Sequence, residues 1–168
     1  MGLRGSFATA LLCALLLPGC AAVGLARLEP GRSTEVDVRQ ALGEPARSYA
    51  NPDGSRQLAF PTGPAGLQTY MAFIAADGRL VRLEQVLTEE QFARISPGKT
   101  TADEVDRLVG PPWRMVDFPN KKATAWDYVI RDTWDYTVDF AVMVGRDGIV
   151  TEKVHARRSR GDGGFNGR

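Results

Sequence analysis

The chain has 168 residues, 21 basic and 20 acidic side chains, one histidine and two cysteines. A net charge of +1 leaves no global field to steer nucleic acid or an acidic substrate, so nucleic acid is excluded as a partner. Once the leader is removed, about 150 residues remain, enough for one ordinary domain or two small halves sharing a core.

Residues 1–19 read as a targeting leader. Arg4 supplies the positive charge, and Ala8 to Leu17 is apolar but shorter than the roughly 20 residues that span a bilayer. Leu17-Pro18-Gly19-Cys20 follows and resembles a bacterial lipobox. On that reading Cys20 carries a lipid anchor and residues 20–24 form a tether. Pro18 departs from the usual small or aliphatic residue there, and ordinary secretion with cleavage after Ala22 stays open. Ala21, where an aspartate would favour inner-membrane retention, directs the lipoprotein to the outer membrane, facing the periplasm. Cys13 lies in the leader, so the mature chain holds no internal disulfide and rests on apolar burial.

The stretch Leu25 to Pro45 returns as Phe92 to Pro112, 67 positions later and without a gap, with eight of 21 positions identical. Each copy predicts a short helix. Thr34 and Thr101 suit the N-cap, and Thr101 with Glu104 makes a capping box. Val38, Ala41 and Leu42, matched by Val105, Leu108 and Val109, form a one-sided apolar stripe. Gly43 and Gly110 are placed for a left-handed C-cap, and Pro45 and Pro112 forbid continuation.

After the first helix, Gln57 to Phe60, Thr69 to Ala75 and Leu80 to Leu87 read as strands, with an Asp77-Gly78 hairpin. Thr88-Glu-Glu-Gln91 caps another short helix that leads into the second copy. There Trp126, Tyr128 and Ile130 alternate with polar or opposite-facing residues. A turn at Arg131-Asp132-Thr133 precedes a long strand with Trp134, Tyr136, Val138, Phe140, Val142 and Val144 on one side. Asp147-Gly148 turns the chain into a third strand, Ile149 to His155. The predicted fold is α+β: two tandem units, 25–88 and 89–156, each two helices and a three-stranded antiparallel meander. Residues 157–168, with Arg157, Arg158, Arg160 and Arg168 among Gly, Asn and Ser, read as a disordered basic tail.

Gly98-Lys-Thr-Thr with Glu104-Val105, Gly110-Pro-Pro112, Trp126-Asp-Tyr128 and Gly145-Arg-Asp-Gly-Ile-Val150 together resemble the SmpA/OmlA (BamE-like) outer-membrane lipoprotein family. The likeness covers nearly all of the second copy, and Gly31 to Pro45 of the first. It implies a non-enzymatic scaffold without a cofactor, supporting β-barrel assembly and envelope integrity through contacts with the assembly subunits, with anionic phospholipid as a further candidate contact. Two features depart from the family. The domain occurs twice, and the family's polar segment before the helix motif is missing from both Leu25 to Pro30 and Glu90 to Pro97. The tandem is also similar in architecture to the β-lactamase inhibitor proteins, which gives the alternative: a periplasmic protein-binding or inhibitor module.

No residue set points to catalysis or metal binding. His155 stands alone, and no second histidine or mature cysteine joins it. Asp132, Asp135 and Asp139 read as a solvated face. No Gly-x-Ser-x-Gly elbow is present, and Gly161 to Gly164 lacks a following helix. The aromatic residues Trp113, Trp126, Tyr128 and Trp134 are the partner-binding candidates, Trp113 above all because it follows a double proline in a loop. Core packing is the competing reading of the stripe.

Overall fold

The computed structural model describes residues 25, 27–62 and 66–158. The leader, Cys20 and the end of the basic tail, including Arg160 and Arg168, lie outside the described residues.

Two capping boxes start the repeated helices. Thr34 and Thr101 hold extended backbone, and each hydroxyl accepts the N–H three residues on. Asp37 Oδ2 accepts the Thr34 N–H at 2.7 Å, and Glu104 Oε2 accepts that of Thr101 at 2.8 Å. From these caps run α1 (Glu35–Leu42) and, after the short α2 (Glu89–Ala93), α3 (Ala102–Val109). The glycines that end α1 and α3 differ from the predicted left-handed cap. Gly43 and Gly110 combine φ of 84° and 82° with ψ of −160° and −177°. Only glycine visits that region freely, and it throws the chain straight into an extended segment.

The strands form two four-stranded antiparallel sheets, ordered β1-β2-β3-β4 and β5-β6-β7-β8. The first contains β1 (Arg47–Ala50), β2 (Arg56–Pro61), β3 (Thr69–Ile74) and β4 (Leu80–Gln85). The second contains β5 (Arg114–Phe118), β6 (Ala123–Arg131), β7 (Thr137–Gly145) and β8 (Val150–Arg157), with a 3-10 turn at Pro119–Lys121 after β5. This overturns the predicted pair of two-helix, three-strand units. Each sheet has a fourth strand, and among the described residues the first unit contributes a single helix of its own, α1. The additional strands, β1 and β5, are short edge strands with mostly exposed side chains, so they carry little of the buried-face alternation from which strands are read.

The internal repeat extends to individual hydrogen bonds. Gly31 N–H donates to Leu80 C=O at 2.7 Å, and Gly98 N–H donates to Val150 C=O at 2.7 Å. Thr34 bridges Arg79 as Thr101 bridges Ile149. The third strand of each sheet is irregular at the equivalent place, between Phe73 and Ile74 and between Met143 and Val144.

Three apolar layers hold the sheets together. Val38 of α1 packs with Leu58, Phe60, Ala72, Ile74 and Leu80 on one face of the first sheet. Val105 and Val109 of α3, with Phe92 of α2, pack with Tyr128, Ile130, Val142 and Val150 on one face of the second. The other face of the first sheet buries Tyr49, Ala59, Met71 and Val86. It meets α3: Tyr49 Oη donates to Asp106 C=O at 3.0 Å, and Arg107 Nη1 donates to Asn51 Oδ1 at 3.2 Å. Helix α3 therefore serves both sheets. Among the described residues no helix covers the outer face of the second sheet; an apolar floor of Ala123, Ala125 and Met143 lies on that side. Arg114–Asp127, Lys121–Glu152 and Arg158–Asp139 ion pairs flank it. Among the described residues no helix is long and apolar enough to cross a membrane.

Candidate partner-binding surface

The turn between β6 and β7 is built around a buried carboxylate. Asp132 Oδ1 accepts the N–H groups of Trp134 and Tyr136, both at 2.9 Å, and Arg157 Nη2 lies 2.5 Å from Oδ2. The Asp132 side chain is 1% exposed, so it does not belong to the solvated face expected of it. Asp135 and Asp139 are instead paired with Arg131 and Arg158. Burial pushes the Asp132 carboxyl up, but the two N–H donors and Arg157 outweigh it and hold the group below the usual carboxylate range. Asp135 at the tip adopts a φ of 63°, left-handed for a residue with a side chain.

This turn presents Trp134, which is 76% exposed, and Tyr136, also exposed. The expected strand therefore starts later, at Thr137, and neither ring belongs to the core-facing stripe. Arg157 sits over the Tyr136 ring at 4.8 Å. Arg157 itself ends β8, so the basic tail begins inside the sheet rather than after it.

The other aromatic candidates separate from Trp134. Tyr128 is 2% exposed, and its Oη donates to Gly110 C=O at 3.1 Å. Burial drives its phenol well above the ordinary range, so it stays a neutral donor. It is a core residue that ties β6 to the end of α3. Trp126 is half-buried against the same core and pairs with Met115 of β5. Trp113 is 40% exposed on the rim of a cavity of about 230 Å³, with Arg114 over its ring at 4.8 Å. Ala46, Pro61 and Thr69 of the first unit and Pro112 and Tyr128 of the second share that cavity. Met115 and Phe118 of β5, which carry no buried-face pattern that would mark them in the sequence, are also exposed.

His155 stacks on Phe140, with ring centroids 5.8 Å apart. It borders a shallow cavity with Glu89, Asp132 and Arg157. Among the described residues no three His, Cys, Asp or Glu side chains converge as a metal site would require.

No protein-family model matches this chain, and no curated protein matches it. Among solved structures, the crystal structure of a DUF4309 family protein, YjgB, from Bacillus subtilis is similar with 20% identity, covering 79% of this chain and 83% of that one. Its TM-score of 0.30 is too low to carry an argument about fold or function.

Proposed function

We propose that this protein is a non-enzymatic, lipid-anchored scaffold of the bacterial outer membrane. It faces the periplasm and supports β-barrel assembly through protein–protein contacts. The observation that carries the contact role is the Trp134 turn. A large apolar ring is left in water while a buried carboxylate, two N–H bonds and an arginine fix its backbone. With the backbone pre-set in this way, only the rotamers of the ring are left to order on binding, a small cost for an aromatic anchor of the kind that dominates interfaces. The lipobox-like Leu17 to Cys20 supports the anchor, and the family resemblance of the second unit supports the assembly role.

The test is chemical crosslinking in intact cells, recovery through a C-terminal tag and mass spectrometry, done with the parent and with Trp134→Ala. Near-stoichiometric assembly subunits, lost in the variant, are expected. Recovery of a different envelope protein, with the assembly subunits absent, would replace the assembly role with another binding task.

A further inference from the structure

The two sheets have four edges, and one of them differs from the rest. β8 is lined with Glu152, Lys153, His155 and Arg157, the charged dressing that discourages edge-to-edge pairing. β1 is only four residues long, and its Tyr49 is buried under α3. β4 carries the Arg82–Glu84 ion pair, with the Arg82 guanidinium over Phe73. β5 carries a comparable pair, Arg114–Asp127, with the Arg114 guanidinium over Trp113, and it is its apolar content that sets it apart. Among the described residues its outer edge is unpaired, and three of their eight exposed large apolar side chains, Trp113 just before the strand and Met115 and Phe118 in it, fall within six consecutive positions.

We propose that β5 is a docking edge that takes an extended segment of a partner protein as a ninth strand, alongside Arg114–Phe118. This goes beyond the scaffold reading and uses a surface separate from the Trp134 turn. An edge strand offers a row of free N–H and C=O groups, so the occupant must itself be extended. The side chains define its chemistry further. Met115 lies opposite Trp126 in the sheet and Val116 opposite Ala125, so the strand presents apolar groups on both of its faces. Arg114 is already held by Asp127 through two contacts of 2.8 and 2.6 Å. Asp117, by contrast, is exposed and makes no ion pair among the described residues. The occupant is therefore a segment of alternating apolar residues with one lysine or arginine placed opposite Asp117. A second copy of this chain fits less well. In a two-fold pairing centred on Val116, Asp117 would face Met115, and no free cation would meet it.

The probe is a capped, soluble peptide of about seven residues, a usual strand length. It alternates valine and threonine, with a single lysine at one threonine place, and is compared with a version carrying glutamate there. Residue-resolved amide hydrogen exchange is read on the full chain. At about 1 mM of the lysine peptide, a tenfold slowing confined to the β5 amides is expected, the effect of roughly 1.4 kcal/mol. Met115→Lys, an exposed change, should abolish it, and Asp117→Lys should shift the preference to the glutamate peptide. Trp134→Ala should leave it unchanged, so failure here is distinguishable from failure of the scaffold reading. Absence of slowing at that concentration, equal slowing on β8, or a dimer protected through β5 without peptide would each overturn the proposal.

Discussion

Gly43 and Gly110 occupy equivalent places in the repeat and share a backbone geometry, yet replacing them with alanine should have different costs. Both have φ near +83° with extended ψ, a region where a Cβ costs on the order of 1–3 kcal/mol. At Gly43 that is the whole effect, because a Cβ there meets nothing within 4 Å. At Gly110 the Cβ would lie 2.8 Å from Thr69 Cγ2 and 3.7 Å from Ala59 Cβ, across the joint between the two sheets. Overpacking of that kind adds about 1–3 kcal/mol. For a domain of this size each kcal/mol is worth roughly 2–4 °C in Tm, so Gly110→Ala should melt several degrees below Gly43→Ala. Thr69→Ser removes the offending methyl. In a double-mutant cycle read by thermal and urea unfolding, Thr69→Ser with Gly110→Ala should show coupling of about 1 kcal/mol or more in the relieving direction. Equal losses at the two glycines, with no coupling to Thr69, would show that the sheets do not press together at this point.

The remaining expectations concern single polar groups and one exposed ring. Tyr128→Phe removes the bond to Gly110 C=O and strands that acceptor, costing about 1–3 kcal/mol by urea unfolding. The Asp132 carboxyl is held below its unfolded value, so its contribution is present above the unfolded pKa and is lost as pH falls through the folded one. Asp132→Asn should therefore flatten the acid limb of the stability curve and increase amide exchange at Trp134 and Tyr136. Asp106 runs the other way: burial raises its carboxyl above the ordinary range, which outweighs Arg47. Its ionised form is disfavoured in the folded state, so stability falls as pH rises from the unfolded towards the folded pKa. Asp106→Asn should be at least as stable as the parent at pH 7, with any advantage shrinking in acid; a marked loss at pH 7 would refute the assignment. Trp113→Ala should spare the fold, since the ring stands on the cavity rim, while weakening partner capture; a large fall in Tm would show that it belongs to the core.

Legibility in the sequence followed the physics of each element. The α1 and α3 boundaries were readable because caps, apolar stripe and glycine stop agree on one answer. Core positions such as Val38, Val105 and Val142 were readable from period alone. β1 and β5 were not, since a short edge strand with solvent on most of its side chains has no buried face to impose alternation. The same gap hid Met115 and Phe118. Tyr128 and Trp134 looked alike in the sequence because both continue a period-two pattern. What separates them is the Asp132 turn, a long-range construction that draws on Arg157 from another strand. Asp132 itself looked solvated among neighbouring aspartates, and nothing local announced that its side chain folds inward.

Helix α3 also sets an order of events. The face of the first sheet bearing Tyr49, Ala59 and Met71 is roofed by a segment that begins only at Ala102. During synthesis, which runs from the N-terminus, all four strands of that sheet exist before its cover does. The half-made chain therefore passes through a stage in which an apolar sheet surface is complete and bare, the kind of surface on which chains aggregate. A truncation between β4 and α3 would make that stage permanent. The first half is thus a dependent part, finished by the second.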